Sequence, residues 1–157
     1  MIQIVKDSDT RPWFFLQTAH TTYGMRVMET GHLEHLYYGE RITVDSHDPA
    51  SCAPLVIQRA FAPGNTCTYD REHPQISMED VCLEVGTLGK GDIREPFLEV
   101  RFADGSVTSD FTFDSYKVIT LKKREQCLQD SGLPHSYSEA ETDSAECLQI
   151  VLQDVTN

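Results

Sequence analysis

The sequence predicts an all-β protein, an antiparallel β-sandwich, and three observations support this prediction. Its clearest apolar segments alternate with period two, as strands do when one face is buried. Tight turns containing Gly separate several of these segments, with Thr30-Gly31 and Asp104-Gly105 as the plainest cases. No segment shows a clear helical period. Every element that the pattern supports is therefore a strand, which is typical of a sandwich.

The segment 97–113 gives the strongest hairpin signal in the chain. Its first half, 97–102, alternates apolar and charged residues, and its second half, 107–113, alternates again. Between them Asp104-Gly105 supplies a turn, because Gly tolerates the positive φ that such turns require. Pro96 has no N–H to donate and fits the first position of a strand. We therefore predict a two-stranded hairpin here, packed on one core face.

The other strands rest on several signals: 23–29 and 147–154 alternate with period two, and 13–16 is a short buried apolar run after Pro12. They are predicted at 13–16, 23–29, 32–38, 116–121 and 147–154. The segment 32–38 also fits helical spacing. A Gly turn precedes it, however, and Gly39 ends it after seven residues, which favours a strand.

A long segment from about residue 43 to 90 lacks this regularity. Proline recurs along it, and periodicity fades outside Leu55-Val56-Ile57. Structureless connections of this length are uncommon in compact domains and are usually either functional or disordered. Because aromatic and β-branched residues are present, we interpret the segment as an ordered, exposed loop system.

Length and charge limit the classes of function. The chain has 157 residues, enough for one domain with a core of its own. Its formal net charge is −12, and the only basic run is Lys122-Lys123-Arg124. Nucleic-acid binding needs clustered Lys and Arg, and anionic membrane surfaces attract the same residues. The composition therefore excludes both kinds of partner.

The cysteines and the N-terminus indicate a cytoplasmic protein. The five cysteines are odd in number and widely spaced, without a Cys-x-x-Cys pair that would indicate zinc. Reduced thiols are favoured over a disulfide framework. Residues 1–7 lack the basic and apolar regions of a signal peptide, and no segment has membrane-spanning length.

The residues alone reveal no catalytic or metal-binding constellation, and no cofactor is expected. His32 and His35 would point to opposite faces of one strand, so they cannot chelate the same metal. Asp92, Arg94 and Glu95 follow a Gly-rich turn and form either a polar clamp at a ligand site or a loop salt bridge. The acidic run 139–146 is interpreted as a solvated edge.

Several short motifs follow one another in a distinctive order. The longest are Gly-His-Leu-Glu-His-Leu-Tyr-Tyr-Gly at 31–39 and Gly-Lys-Gly-Asp-Ile-Arg-Glu-Pro at 89–96. The shorter ones lie at 15–18, 23–29, 61–66, 69–70, 72–75, 104–106 and 109–111. This succession resembles the N-terminal part of bacterial α-galactosidases of glycoside hydrolase family 36. The resemblance runs from about Trp13 to Asp154, nearly the whole chain.

The resemblance implies a large enzyme with an N-terminal β-supersandwich, a catalytic (β/α)₈ barrel and a C-terminal β-domain. Such an enzyme releases terminal α-galactose from oligosaccharides such as raffinose and melibiose with retention, which requires two carboxylates. In the family both lie on the barrel. Its Lys-Trp-Asp nucleophile motif is missing here, where Trp13 is the only tryptophan. We therefore expect residues 1–157 to form part of the supersandwich, with the barrel and every catalytic residue absent.

The role implied for this chain is to help wall the sugar pocket and to build a homo-oligomer, commonly a tetramer in the family. Within the loop system and the turn that follows it, four residues are the candidate contacts to an α-galactoside oligosaccharide: Asp45, Asn65, Asp92 and Arg94. The alternative is a stand-alone carbohydrate-binding β-sandwich, since such modules also use exposed aromatics and polar loops.

Overall fold

A computed structural model describes residues 1–57, 68–92, 95–121 and 145–156 of the chain. The strands are β1 (Ile2–Lys6), β2 (Pro12–Gln17), β3 (Thr21–Val27), β4 (Leu33–Glu40), β5 (Thr87–Leu88), β6 (Gly91–Asp92), β7 (Phe111–Leu121) and β8 (Ala145–Asp154). Two 3₁₀ helices span Pro49–Leu55 and Met78–Asp80. Strands β1 to β4 form one antiparallel sheet in sequence order, and β7 pairs with β8 in a second antiparallel sheet. The predicted antiparallel β-sandwich is confirmed.

The core of the sandwich lies between these two sheets. Phe14, on β2, is fully buried and packs edge-on against Tyr116 of β7, with ring centroids 5.2 Å apart. Phe113 lies beside both rings. Period-two alternation explains the arrangement, because every second residue of β2 faces β7 and β8.

The opposite face of the four-stranded sheet carries a second apolar cluster. Trp13 and Phe15 alternate with Phe14 and therefore point away from β7. The segment after β4 returns across this face, where Cys52 is buried and Val44 packs alongside. Both faces of β2 are thus covered, which accounts for its nearly continuous apolar sequence.

The predicted hairpin at 97–113 is wrong in its strands and right in its turn. Gly105 has a φ of +89°, and its amide donates to the carbonyl of Phe102 at 3.0 Å. Residues 99–110 nevertheless form no strand, and Phe97 is 77% exposed. Leu98 makes only an isolated bridge with Thr87. The strand begins at Phe111 and pairs with β8 instead.

The remaining predicted strands are confirmed, with small changes in bounds. Residues 33–40 form strand β4 rather than a helix. β1 is an addition that the sequence reading did not predict, and β5 and β6 form a short pair where the loop system ends. The segment also contributes residues 82–84, which bond to the edge of β4. Across the described ranges, no helix is long and apolar enough to cross a membrane.

Candidate functional site

A concentrated polar cluster surrounds the carboxylate of Asp110, the residue just before β7. Its side chain is only 4% exposed. Its main chain is fixed by β8, since its amide donates to Oδ1 of Asp154 at 3.0 Å and its carbonyl accepts from the amide of Val155 at 2.9 Å. Asp110 therefore sits on the rigid end of the two-stranded sheet.

One carboxylate oxygen of Asp110 bonds to a buried histidine. Nε2 of His32 lies 2.7 Å from Oδ1 of Asp110, and Nδ1 of His32 lies 2.9 Å from Oγ1 of Thr30. Both residues come from the turn between β3 and β4. The tight turn around Gly31, whose φ is +85°, brings Thr30 and His32 to the same side.

The other carboxylate oxygen receives two groups from the long loop system. The hydroxyl of Tyr69 donates to Oδ2 of Asp110 at 3.1 Å, and Nζ of Lys90 lies 3.6 Å from the same oxygen. Nζ of Lys90 also stands 4.8 Å from the centre of the Tyr69 ring, a cation–π distance. We call Thr30, His32, Tyr69, Lys90 and Asp110 the loop anchor.

The loop anchor shifts the ionisation of two of its members. Burial raises the pKa of Asp110, but the hydrogen bond and charge of His32, the charge of Lys90 and the Tyr69 hydroxyl outweigh it, so the pKa lies below 3.8. Burial and the Asp110 carboxylate raise the pKa of Tyr69 to about 12. Asp110 is thus a carboxylate and Tyr69 a neutral donor at neutral pH.

The candidate residue Asp92 lies two positions beyond Lys90, in β6. The turn before it is closed by reciprocal backbone bonds between Thr87 and Lys90, of 3.1 and 2.9 Å. Gly89 adopts a φ of +78° within this turn. The hydroxyl of Thr87 donates to the carbonyl of Ser109 at 2.6 Å, which ties the turn to the residue before Asp110.

The candidate residue Asp45 is attached to the other end of β4, five residues past Glu40. It is exposed, and its Oδ1 accepts the amide of His47 at 2.8 Å, a local turn contact. The loop anchor therefore connects the backbone near Asp92 to the turn before β4. Asp45, by contrast, follows the C-terminal end of β4. Asn65 and Arg94 lie outside the described residues, as do residues 139–144 of the acidic run.

A second polar cluster lies on β3 and β4. Nε of Arg26 lies 2.7 Å from Oε2 of Glu34, whose side chain is 2% exposed. Nearby, Glu84 accepts from the Tyr23 hydroxyl at 2.5 Å and contacts Nδ1 of His35 at 3.0 Å. His35 thus belongs to this cluster, whereas His32 belongs to the loop anchor.

The chain Thr30–His32–Asp110 resembles the hydrogen-bond order of a hydrolase triad, but it is not placed for catalysis. A nucleophile must meet its substrate, whereas Thr30 is 9% exposed and His32 3%. Asp110 is also already engaged by Lys90 and Tyr69. Within residues 1–57, 68–92, 95–121 and 145–156, no three His, Cys, Asp or Glu side chains are grouped to hold a metal ion. The arrangement is suited to holding loops in place.

Sequence reasoning missed Asp110, Tyr69 and Lys90 as members of a site. A signal for them was present, since the loop anchor draws on four of the short motifs quoted above, those at 31–39, 69–70, 89–96 and 109–111. Motifs that meet in space after long separations in sequence are candidates for one shared role. Neither composition nor spacing could show that they meet.

Comparison with known proteins finds a matching domain family and several α-galactosidases that are similar to this chain. The sequence model of the glycosyl hydrolase family 36 N-terminal domain matches residues 31–157. The bifunctional α-galactosidase/sucrose kinase AgaSK of Mediterraneibacter gnavus is 34% identical over 90% of this chain, and the α-galactosidase AgaA of Geobacillus stearothermophilus is 31% identical over 90%. The chain spans 14% of the length of AgaSK and 18% of that of AgaA.

Solved structures agree with the sequence match. The α-galactosidase of Lactobacillus brevis superposes with a TM-score of 0.72 at 30% identity, over 96% of this chain and 18% of the enzyme. A variant of AgaA in complex with raffinose superposes with a TM-score of 0.69 at 26% identity, over 92% of this chain and 18% of that one. Since the family model covers most of the chain and the fold agrees, the chain belongs to the N-terminal domain family of glycosyl hydrolase family 36.

Proposed function

We propose that this chain is a non-catalytic N-terminal domain of an α-galactosidase that hydrolyses terminal α-galactosyl residues of oligosaccharides such as raffinose and melibiose. The observation that carries the proposal is the family match over residues 31–157. The raffinose and stachyose complexes of AgaA variants support an α-galactoside oligosaccharide as the ligand of the whole enzyme.

The domain has no catalytic role in this proposal. A retaining glycosidase needs a nucleophile and an acid/base, both carboxylates, about 5–5.5 Å apart. The nucleophile motif implied by the resemblance, Lys-Trp-Asp, does not occur here, because the only tryptophan, Trp13, is flanked by Pro12 and Phe14. The catalytic carboxylates are therefore supplied by a part of the enzyme other than this chain, the (β/α)₈ barrel.

The domain's role is to shape the sugar pocket and to contribute to assembly. Two features support this role: Asp45 stands exposed on the loop after β4, and the turn before Asp92 is held to the sandwich by the loop anchor. Asn65 and Arg94 complete the proposed sugar contacts. Tyr38, 70% exposed on the edge strand β4, is suited to contact a second subunit of a homo-oligomer, with a tetramer as the expected form.

The proposal also places the enzyme in the cytoplasm. Cys52 and Cys82 are free thiols in the structure, as expected for a reducing compartment. Cys67 and Cys127 lie outside the described residues.

A domain exchange tests the proposal. The isolated 157-residue chain and a chimera, in which this chain replaces the matching N-terminal 18% of AgaA, are assayed for raffinose hydrolysis. We expect no turnover by the isolated chain and turnover by the chimera, with a KM that changes when Asp45 or Asp92 is replaced by Asn. AgaA without its N-terminal domain is the matched control.

Two outcomes would contradict the proposal. A chimera no more active than truncated AgaA would mean that this chain does not serve as the enzyme's N-terminal domain. Raffinose binding by the isolated chain in calorimetry, together with an inactive chimera, would favour a stand-alone carbohydrate-binding sandwich instead.

A further inference from the structure

We propose that Asp110 is a positioning residue, which fixes the turn 87–92 against the sandwich through Lys90 and Tyr69. The consequence for sugar binding rests on the proposed function, because this turn leads into Asp92 and Arg94. The positioning itself rests only on the geometry of the loop anchor.

The first step is that Asp110 is a fixed point. Its amide and carbonyl are bonded to Asp154 and Val155 at the end of β8, and Oδ1 faces Nε2 of His32 at 2.7 Å. Each of these partners belongs to the sandwich or to its β3–β4 turn. The two backbone bonds fix the main chain of Asp110, and the contact with His32 orients its carboxylate so that Oδ2 faces the loop system.

The second step is that Oδ2 binds two groups from the loop system. Nζ of Lys90 lies 3.6 Å from it, and the hydroxyl of Tyr69 lies 3.1 Å away. Because the Asp110 side chain is 4% exposed, water screens its attraction to Lys90 less than at an open surface. The Tyr69 ring, 4.8 Å from Nζ, favours the same position for the ammonium group.

The third step is that holding the side chain of Lys90 holds the backbone that follows it. Asp92 is two residues on, a reach of at most about 7 Å. The turn is already narrow, with Thr87 and Lys90 bonded to one another and the Thr87 hydroxyl bonded to Ser109. Lys90 and Thr87 thus tie both ends of the turn to the segment 109–110.

A role in overall stability and a role in positioning the turn predict different effects when a contact of the loop anchor is removed. If the loop anchor only added stability to the whole domain, its loss would loosen every element together. If Asp110 positions the turn, the loss of Lys90 or of the Tyr69 hydroxyl loosens the turn and leaves β1 to β4 unchanged, because local opening is separable from global unfolding.

Hydrogen exchange on the 157-residue chain tests the proposal, with the amides of Thr87 and Lys90 as probes. In Lys90→Met we expect these two amides to exchange about tenfold faster, while the amides of β2 and β3 keep their rates. Lys90→Arg should restore protection, since it keeps the charge and the contact with the Tyr69 ring. Lys117→Met, which removes an exposed lysine on β7, is the matched control.

Two further variants keep the proposal falsifiable. Tyr69→Phe removes only the hydroxyl and should accelerate the same two amides. Asp110→Asn, if it folds, should accelerate them more than either single loop variant, because it weakens both contacts. Unchanged exchange of Thr87 and Lys90 in Lys90→Met, or an equal acceleration throughout the chain, overturns the proposal.

The AgaA chimera separates this inference from the proposed function. If both are right, Lys90→Met in the chimera raises the KM for raffinose about tenfold with little change in kcat, and Lys90→Arg does not. Faster exchange with an unchanged KM would support positioning by Asp110 and contradict the role of the turn in the sugar pocket.

Discussion

Nε2 of His32 lies 2.7 Å from Oδ1 of Asp110, although 78 residues separate the two in sequence. The contact joins the β3–β4 turn of one sheet to the start of β7 in the other. Both side chains are almost fully buried, at 3% and 4% exposure. Burying a carboxylate costs free energy unless its oxygens are paired. The buried position of Asp110 therefore depends on His32 and on the loop residues Tyr69 and Lys90 together.

Replacing His32 with Ala should strongly destabilise the domain. The change leaves Oδ1 of Asp110 and the hydroxyl of Thr30 buried without their partner, at an expected cost of about 2–4 kcal/mol. Urea unfolding of the 157-residue chain measures it, with His20→Ala at an exposed position as the control. A loss below about 0.5 kcal/mol would show that the contact adds nothing to stability.

The lowered pKa of Asp110 predicts how the free energy of unfolding changes as the pH falls. Because the folded pKa lies below 3.8, the contribution of Asp110 is complete above the unfolded pKa and is lost as the pH falls through the folded value. The stability difference between wild type and Asp110→Asn should therefore be largest near neutral pH and shrink below about pH 4. Urea unfolding at pH 7, 5 and 3 measures it. A stability difference independent of pH would mean that the negative charge of Asp110 does not contribute to the stability of the domain.

The raised pKa of Tyr69 predicts that stability also depends on pH in the alkaline range. Its pKa is raised to about 12, so its contribution is complete below the ordinary value of 10 and is lost as the pH rises through 12. Absorbance at 295 nm follows phenolate formation, and Tyr69→Phe should remove one late step from the titration of the six tyrosines. In Asp110→Asn that step should move part of the way towards 10, because burial still raises the pKa of Tyr69 but the carboxylate that adds to it is gone. If the titration step that Tyr69→Phe removes is centred near pH 10 in the wild type, this would contradict the hydrogen bond between Tyr69 and Asp110.

The fold was largely predictable because the apolar segments of its strands are visible in the sequence. β3 alternates between more and less buried residues from Thr21 to Met25, and the nearly continuous apolar run of β2 is buried on both faces. The predicted hairpin at 97–113 shows where local pattern fails. Its turn forms, since Asp104-Gly105 specifies it locally, but a strand also needs a partner, and Phe111 finds that partner in Asp154.

The loop anchor was less predictable because its contacts join residues that are far apart in sequence. Tyr69 and Lys90 lie in a segment without periodicity, and their roles depend on a carboxylate 41 and 20 residues away. Spacing in sequence carries no information about such contacts. Asp45 and Asp92 could be named as candidates because a charged residue in a long loop is visible from sequence, whereas the group that holds the loop is not.

The thiols provide a test of compartment and of burial together. Under denaturing, non-reducing conditions all five cysteines should react with a thiol reagent, since we expect every one to be reduced. In the native chain Cys82, which is exposed, should react at least about 100-fold faster than Cys52, which is 2% exposed and whose pKa burial raises. Cys82→Ser assigns the fast phase. Finding only one or three reactive thiols after denaturation would contradict the proposed cytoplasmic location.

Gly31 and Gly89 form a matched pair that separates backbone strain from crowding. Both have positive φ, +85° and +78°, so Ala at either position costs about 1–2 kcal/mol in backbone energy. A Cβ on Gly89 would meet nothing within 4 Å, whereas one on Gly31 would lie 3.1 Å from Cβ of Thr112. Thr112 belongs to β7 and cannot withdraw freely, because the amide of Phe113 is bonded to the carbonyl of Gly31 at 2.7 Å.

Gly31→Ala should therefore destabilise the domain by about 2–4 kcal/mol, and Gly89→Ala by about 1–2 kcal/mol. The larger loss should be accompanied by faster exchange of the Phe113 amide, since relieving the clash moves the β3–β4 turn away from β7. Urea unfolding and hydrogen exchange of the two variants measure both effects. Equal losses in the two variants would mean that the turn yields at Thr112 without cost, and that the β3–β4 turn does not hold His32 against Asp110 as closely as the contacts indicate.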